Sequence, residues 1–315
     1  MDPKGKSKSY IVYYAKEMEK LAKSLVITEG QRFCLKKIEW NLFPDGTPNL
    51  HMDIDGIEGK NILLLCSFSS NEEKYLQVNI MYVLTRSFIK SLTLFVPFFP
   101  TATMERVNKE GQIASADVDC WWLSSLPKFN SSPVKIIIYD IHTLQNRFYF
   151  HDGALAKLVS AIPLFKEELK KCFSTEKIAI AFPDEGSFKR FGNMFEEYPI
   201  IICGKVRDGD KRIVKINDGD PKNCHVFIVD DLVQSGGTLI ECKAKLLSAG
   251  ASKVSAFVTH TVFPKESWKK FLKGGEGEGF DTFYATDTCP IVASKIDKQM
   301  PFKILSIQKN FISHL

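Results

Sequence analysis

Short apolar runs alternate with longer amphipathic stretches along most of the chain. The runs are rich in β-branched and aromatic residues, and this alternation is typical of parallel strands joined by crossover helices. We therefore predict an α/β protein. In the first half, strands are predicted over residues 62–67, 91–97 and 134–140, with a helix over 76–89. In the second half, strands are predicted over residues 177–182, 200–205, 226–229 and 253–258.

The helix between the last two of these strands has a marked pattern. Ile240, Ala244 and Leu247 recur at i, i+4 and i+7, which predicts that they share the buried face. Gly250 follows where a left-handed cap residue is expected.

The order of elements predicts two similar halves. Pro163 follows a weakly patterned segment, so we predict an N-terminal α/β domain over residues 1–162 and a C-terminal α/β domain over 163–315. The last strand pattern, residues 303–307, could return to either sheet. Residues 1–30 are rich in lysine, and we interpret them as a basic leader that forms a solvated, partly frayed arm.

Composition excludes several classes of protein. The chain has 315 residues, 44% of them apolar, which suits two modest domains with sizeable cores. The net charge of +5 reflects 42 basic and 37 acidic residues, so the surface is mixed and no nucleic-acid partner is expected. No apolar run reaches the roughly 18 residues of a membrane span, so no membrane partner is expected either.

The cysteines and the leader point to the compartment. The eight cysteines include no C-x-x-C pair, and Cys66, Cys203 and Cys242 lie in apolar patterns where a thiol packs as a small hydrophobe. This usage fits a reducing compartment and argues against a zinc site. Glu17 and Glu19 in the leader disfavour a transit peptide, as Asp2 does, so we expect a cytoplasmic protein.

The most informative stretch is residues 226–238, VFIVDDLVQSGGT. A buried strand leads into a loop of small residues and then a helix, and ligands bind at this end of parallel sheets. Backbone N–H groups of such a loop can turn toward an anion at the helix N-terminus, and two hydroxyls add donors. The loop residues are Ser235, Gly236, Gly237 and Thr238. We predict that they bind a phosphate.

Two carboxylates precede this loop. Asp230 and Asp231 would repel a phosphate placed beside them, so we expect them to accept hydrogen bonds from a sugar diol or to approach a metal. Acid pairs and Gly-Gly turns also occur in ordinary loops, but their fusion behind a buried strand is much rarer. Together the acid pair and the small-residue loop predict a site for a phosphorylated pentose.

This stretch resembles the ribose 5-phosphate loop of the type I phosphoribosyltransferase fold. Phosphoribosyltransferases, which consume phosphoribosyl diphosphate, share that loop with the ribose-phosphate diphosphokinases, which make it. The likeness runs from about Ile38 to Leu305 and is closest to the plant-type class II branch of the diphosphokinases. It implies an α/β fold with two similar parallel-sheet domains of the type I phosphoribosyltransferase fold.

A histidine follows the strand over residues 134–139. The pattern D-x-H-x-x-Q is formed by Asp140, His142 and Gln145. His142 sits where ligands bind, so its imidazole could ligate a metal, meet a phosphate as imidazolium, or be structural. The resemblance implies that His142 lies beside the ATP phosphates and their Mg2+.

An aspartate follows the strand over residues 178–182. Asp184 comes after Pro183, and a carboxylate at a strand end is suited to a hard metal ion. The resemblance implies that Asp184 contributes to the metal site.

Residues 201–212, IICGKVRDGDKR, begin as a buried strand and become rich in charge and glycine. Lys205 and Arg207 belong either to a charged hairpin tip or to a catalytic loop. The resemblance favours the loop, because the family carries a K-x-R pair on a mobile one. It implies that Lys205 and Arg207 close over the triphosphate and neutralise charge on the group in transfer.

Residues 43–49, FPDGTPN, resemble the loop that faces adenine and is lent by one subunit to its neighbour. Phe43 and Asp45 are kept, whereas Thr47 stands where the better-known branch has an acid. Arg106 matches an ATP-contacting arginine, followed here by Val107 in place of glutamine. The class II branch shows the same changes, which implies relaxed nucleotide choice and weak or absent regulation by phosphate and ADP.

The resemblance implies a ribose-phosphate diphosphokinase. The C1 hydroxyl of ribose 5-phosphate would attack the β-phosphorus of Mg-ATP in line and expel AMP, in a homo-oligomer with Mg2+ as cofactor. A non-catalytic regulatory homologue would show losses at the chemical positions, which this sequence retains. A phosphoribosyltransferase would leave the first α/β half without a purpose.

Overall fold

A computed structural model describes residues 9–128, 132–208 and 211–315, with their side chains except at positions 205–208 and 211–213. The chain divides into two compact units, one ending at Val159 and the other beginning at Ser160. Pro163, where we placed the domain boundary, lies in the first turn of helix α4 (Ile162–Cys172). Proline is tolerated in a first helical turn as well as in a linker, which accounts for the small difference.

The N-terminal unit contains a six-stranded parallel sheet in the order β2-β1-β5-β6-β7-β8. Its strands are β1 (Tyr10–Tyr14), β2 (Phe33–Leu35), β5 (Asn61–Leu65), β6 (Ser91–Phe95), β7 (Val134–Tyr139) and β8 (Ala154–Val159). An antiparallel hairpin is formed by β3 (Ile38–Leu42) and β4 (Pro48–Met52). The helices are α1 (Glu19–Glu29), α2 (Asn71–Thr85) and α3 (Ser115–Ser124). The three strands and the helix predicted for this half are confirmed as β5, β6, β7 and α2, with shifted ends for the helix.

The interpretation of residues 1–30 as a frayed arm is wrong for residues 10–29. Strand β1 pairs with both β2 and β5 inside the sheet, and Val12 and Tyr13 are fully buried. In α1 the buried side chains are Ala22 and Leu25, which follow buried Met18 at i+4 and i+7. The lysines lie on the solvated face of this helix, so they masked an amphipathic pattern. Residues 1–8 lie outside the described part of the chain.

This packing makes the leader a stability determinant. Replacing Leu25, fully buried, with alanine should lower the free energy of unfolding by about 2–4 kcal/mol, because a cavity opens under the sheet. Ile27 is 86% exposed on the same helix, so Ile27→Ala is the matched control and should change stability little. Urea unfolding of both variants tests this, and equal midpoints would contradict the packing of α1.

The C-terminal unit contains a seven-stranded sheet in the order β11-β10-β9-β12-β13-β14-β15. Its strands are β9 (Ile178–Phe182), β10 (Ile200–Asp208), β11 (Lys211–Asp218), β12 (His225–Val233), β13 (Lys253–Thr261), β14 (Phe283–Thr286) and β15 (Phe302–Leu305). Its helices are α4, α5 (Glu185–Phe191), α6 (Gly237–Ser248), α7 (Pro290–Ile296) and α8 (Gln308–Ile312). Only the β10–β11 pair is antiparallel among the described strand pairs of this sheet. The four strands predicted for this half are confirmed.

Packing determines which sheet the last strand joins and which face of α6 is buried. Strand β15 pairs in parallel with β14, so the last strand stays in the C-terminal sheet. The predicted buried face of α6 is wrong: Ala244 and Leu247 are exposed, and the buried side chains include Leu239 and Leu246. The cap is confirmed, because Gly250 follows α6 with a φ of +97°.

The cores of both units lie between the sheets and their helices. Cys66, Cys203 and Cys242 are fully buried in these cores, which confirms that they pack as small apolar side chains. Within the described ranges, none of the helices has the length and apolar character that crossing a bilayer requires.

Candidate active site

The predicted acidic residues of the C-terminal unit meet at one edge of its sheet. Strands β9 and β12 are parallel neighbours, and their last paired residues are Ala181 and Ile228. Beyond these residues β9 ends at Phe182, whereas β12 continues to Val233 and stays paired with β13. Asp184 follows the end of β9, and Asp230 and Asp231 lie in β12.

Strand β12 is longer than predicted, and this extension holds the acid pair. Asp230 pairs with Val258 of β13, so both aspartates belong to a paired strand rather than to a loop. Asp231 is buried, and its backbone N–H donates to Oδ1 of Asp230 at 3.0 Å. The two carboxylates are thus held close together by the backbone.

The pKa of Asp230 is raised well above its ordinary value of 3.8, first because the carboxyl is removed from water. The negative charges of Asp231 and Asp184 raise it further. A carboxylate cluster of this kind is stabilised by hydrogen-bond donors such as sugar hydroxyls or by a cation. A ligand that supplies one of these would stabilise the cluster.

The raised pKa also predicts a cost in stability. Because the folded state binds the Asp230 proton more tightly than the unfolded state, stability is greatest below the ordinary carboxyl pKa and falls as pH rises through the raised pKa. Asp230→Asn removes this buried charge and should raise Tm at neutral pH by roughly 2–6 °C, while pentose binding weakens.

Melting curves of the wild type and Asp230→Asn between acid and neutral pH test this. The difference in Tm should grow as pH rises. The exposed Asp297 offers the control, since Asp297→Asn should leave Tm unchanged at every pH. A constant difference between Asp230→Asn and the wild type would show that Asp230 does not titrate as described.

The small-residue loop joins β12 to α6. Gly236 has a φ of +83°, and a Cβ there would lie 2.6 Å from the ring of Phe271, so only glycine fits. Helix α6 begins at Gly237, and the N–H groups of a helix's first turn are directed out of its N-terminal end. Next to Gly237 the space is open, since a Cβ there would have Ser235 Oγ as its neighbour at 4.0 Å. This geometry suits an anion at the N-terminus of α6.

Asp184 has a local structural role as well as a position in the cluster. It caps helix α5, and its Oδ1 accepts a hydrogen bond from the backbone N–H of Ser187 at 3.0 Å. Within the ranges the structure describes, no three His, Cys, Asp or Glu side chains converge as ligands for a metal ion. Mg2+ commonly takes one or two carboxylates and completes its shell with water and substrate phosphate, so Asp184 fits an ion of that kind.

The segment with the K-x-R pair forms a long hairpin, β10–β11. In its register Lys205 pairs with Val214, and Arg207 pairs with Arg212. The backbone at these positions forms paired strands, which agrees with the interpretation of this segment as a charged hairpin. The side chains of Lys205 and Arg207 lie outside what the structure describes.

The N-terminal unit places His142 and Arg106 at the carboxyl ends of neighbouring strands. His142 is exposed and follows β7 by three residues, beyond buried Asp140, whose φ is +29°. Arg106 lies in the segment after β6, with its side chain 76% exposed and its Nε 3.1 Å from Oε1 of Glu105. Strands β6 and β7 are adjacent, so both side chains belong to one sheet edge.

The 43–47 stretch is the turn of the β3–β4 hairpin. The N–H of Phe43 donates to the carbonyl of Thr47 at 2.8 Å, and Gly46 takes a φ of +86°. The N–H of Thr47 donates to the Asp45 carboxylate at 2.9 Å, which lowers the pKa of that carboxyl. The Phe43 side chain is 50% exposed, and Asp45 and Thr47 are exposed as well. The turn thus presents an aromatic ring to solvent.

Each unit has an α/β sheet of mainly parallel strands, and one carries an acid pair and a glycine loop at its carboxyl edge, which places the chain in the class of α/β proteins that bind ligands at the carboxyl ends of their strands. No model of a protein family matches the chain. "Ribose-phosphate pyrophosphokinase 4" of Arabidopsis thaliana is 45% identical over 299 residues, which is 94% of this chain and 88% of the relative. "Ribose-phosphate pyrophosphokinase 3, chloroplastic" of rice, Oryza sativa subsp. japonica, is 44% identical over 307 residues, 96% of this chain and 75% of the relative.

The chain therefore belongs to the ribose-phosphate pyrophosphokinase family, in the branch that contains these plant proteins. A solved phosphoribosylpyrophosphate synthetase from Mycobacterium smegmatis has the same fold. The TM-score is 0.81 at 20% identity, over 98% of this chain and 97% of that one. The predicted family and fold class are confirmed.

Proposed function

We propose that this chain is a ribose-phosphate diphosphokinase that transfers the diphosphoryl group of Mg-ATP to the C1 hydroxyl of ribose 5-phosphate. The observation that carries the proposal is the C-terminal sheet edge. There, a carboxylate pair lies near the end of strand β12 and an open glycine loop follows that strand, and membership of the pyrophosphokinase family agrees with such a site. The products are 5-phosphoribosyl 1-diphosphate and AMP.

Ribose 5-phosphate binds along β12 and the start of α6. The 5-phosphate accepts hydrogen bonds from the N–H groups and hydroxyls of residues 235–238, where the helix N-terminus favours negative charge. The ribose diol donates to Asp230 and Asp231, which relieves the repulsion between these buried carboxylates. The two parts of the site therefore match the two ends of the sugar phosphate.

ATP binds to residues of the N-terminal unit. The adenine stacks against the exposed ring of Phe43, with Asp45 and Thr47 in the same turn. Arg106 and His142 meet the phosphates, to which a guanidinium and the N–H of a neutral imidazole can both donate hydrogen bonds.

We propose Asp184 as the Mg2+ ligand of the C-terminal unit and His142 as the candidate Mg2+ ligand of the N-terminal unit. The ion supplies positive charge to the triphosphate and so stabilises the charge that shifts during transfer. The Asp184 carboxylate offers the hard oxygen ligand that this ion prefers.

The transfer is a displacement at the β-phosphorus. The bond from the C1 oxygen to the β-phosphorus forms as the bond from that phosphorus to the oxygen of the α-phosphate breaks, the C1 hydroxyl releases its proton to solvent, and AMP leaves. Lys205 and Arg207 on the β10–β11 hairpin neutralise charge on the moving diphosphoryl group, and closure of the hairpin excludes water. Positioning and electrostatics supply most of the rate, so no covalent intermediate is required.

We also propose that the enzyme is a homo-oligomer, because a turn that presents Phe43 to solvent can serve the ATP site of a second copy. A cytoplasmic location is proposed because the eight cysteines are free, which suits a reducing compartment. The rice relative is named chloroplastic, so imaging of the full chain fused to a fluorescent protein is the appropriate test.

The proposed reaction is tested by AMP release from ATP and Mg2+, with and without ribose 5-phosphate. AMP that depends on the sugar, and that stops when EDTA removes Mg2+, is expected. No sugar-dependent AMP from a folded protein that binds ATP would favour a regulatory subunit. Nucleotide formed from a nucleobase and phosphoribosyl diphosphate would favour a phosphoribosyltransferase.

A further inference from the structure

Two side chains that the motifs do not include connect the candidate ATP residues of the N-terminal unit. Arg106 ends a segment, residues 100–106, that follows β6, while His142 precedes a 3-10 helix, Leu144–Tyr149, that follows β7. The two segments are in direct contact. Asn146 and Tyr149, both on the 3-10 helix, donate hydrogen bonds to the backbone of the 100–106 segment.

The first bond is buried. Asn146 is fully buried, and its Nδ2 donates to the carbonyl of Ala102 at 3.1 Å. Its own backbone N–H donates to the carbonyl of Thr143, next to His142, at 3.2 Å. One residue therefore contacts both the turn that follows His142 and the segment that leads to Arg106.

The second bond lies beside Arg106 itself. The hydroxyl of Tyr149 donates to the backbone carbonyl of Glu105 at 2.9 Å. The Glu105 side chain, 9% exposed, in turn pairs with Nε of Arg106. The hydroxyl of Tyr149 thus holds the residue that orients the guanidinium.

The far end of the 100–106 segment is also held. Oγ1 of Thr101 donates to Oδ2 of Asp119 at 2.8 Å, and Lys74 Nζ donates to both oxygens of that carboxylate at 2.8 Å. These side chains of α2 and α3 hold the 100–106 segment independently of Tyr149 and Asn146. The segment therefore does not need Tyr149 and Asn146 in order to fold, and these two residues set its position relative to the His142 turn.

We infer that Tyr149 and Asn146 are positioning residues for ATP, because they fix the backbone that carries Arg106 to the backbone that carries His142. The inference rests on the proposed role of these two residues at the ATP phosphates. If Arg106 and His142 bind ATP equally in the ground state and the transition state, loosening them raises KM for ATP and leaves kcat nearly unchanged.

The test is Tyr149→Phe, which keeps the ring and removes only the hydroxyl. Loss of this hydrogen bond should raise KM for ATP about 3- to 10-fold, with KM for ribose 5-phosphate and kcat within about 2-fold of wild type. Ser91→Ala is the matched control: it removes a hydrogen bond of 2.8 Å to Asn61 at the opposite edge of the same sheet. The control should leave KM for ATP unchanged.

A double-mutant cycle with Arg106→Ala shows whether Tyr149 acts through Arg106. On the Arg106→Ala background, Tyr149→Phe should raise KM for ATP by a clearly smaller factor than in the wild type. The inference is overturned if Tyr149→Phe lowers Tm without changing KM for ATP, or if the two factors multiply independently. Failure of the proposed function is distinct, because the wild type itself would then form no AMP in response to the sugar.

Discussion

Lys205→Ala lowers kcat by about 100- to 1,000-fold, with KM for both substrates changed by less than about 3-fold, if Lys205 stabilises the diphosphoryl group in flight. The reason is electrostatic: a cation that meets the transferring group mainly in the transition state contributes to rate rather than to binding. Initial rates of AMP formation at saturating ATP and ribose 5-phosphate measure the change. This is the largest effect we expect from any single substitution.

The same hairpin provides the control for this variant. Lys215 is exposed on β11 and pairs with Gly204, the residue before Lys205. Lys215→Ala makes the same chemical change one residue pair away from the proposed catalytic position and should retain wild-type kcat. If Lys205→Ala keeps more than about a tenth of kcat, the lysine belongs to a solvated hairpin tip and not to the transfer step.

Gly236→Ala should lower kcat/KM for ribose 5-phosphate by about 30- to 100-fold, mainly through KM. The new methyl group would lie 2.6 Å from the ring of Phe271, which is buried among Phe263, Phe280 and Phe283 and has little room to move. The loop must shift instead, and misplacement of donors by about 1 Å can cost about 100-fold. Steady-state kinetics with ribose 5-phosphate varied at fixed ATP give the result.

The variant Gly274→Ala is a control that separates the effect of the steric clash at Gly236 from the effect of backbone strain. Its φ of +84° matches the +83° of Gly236, but nothing lies within 4 Å of a Cβ added there. Gly274→Ala therefore carries the same left-handed backbone penalty, about 1–2 kcal/mol of stability, without moving the loop. It should leave KM for ribose 5-phosphate unchanged. Two outcomes would argue against phosphate binding by residues 235–238. One is an equal loss of kcat/KM for ribose 5-phosphate in both variants, and the other is a change in Gly236→Ala that affects only the kinetic constants for ATP.

Much of the candidate site was predictable because its signals are local. The strand, acid pair, glycine loop and helix of residues 226–238 are adjacent in sequence, so one stretch specifies both the conformation and the chemistry. The turn at residues 43–47 is local in the same way, with its hydrogen bond from Phe43 to Thr47. Asn146 and Tyr149 were missed because their partners lie 44 residues away. Their only sequence signal is that they follow His142 by four and seven positions.

The sequence by itself determined the α/β class, most of the strands and the position of the candidate phosphate loop, since each depends on the periodicity or turn chemistry of a short stretch. Tertiary structure decided which face of an element is buried. Met18, Ala22 and Leu25 join the core despite the lysines around them, and α6 buries Leu246 rather than Leu247. It also decided that β15 joins β14 and that Asp230 is buried, beside Asp231 and Asp184, so that its pKa rises. The physical reason is that burial and electrostatic coupling arise between residues distant in sequence, which a local pattern does not specify.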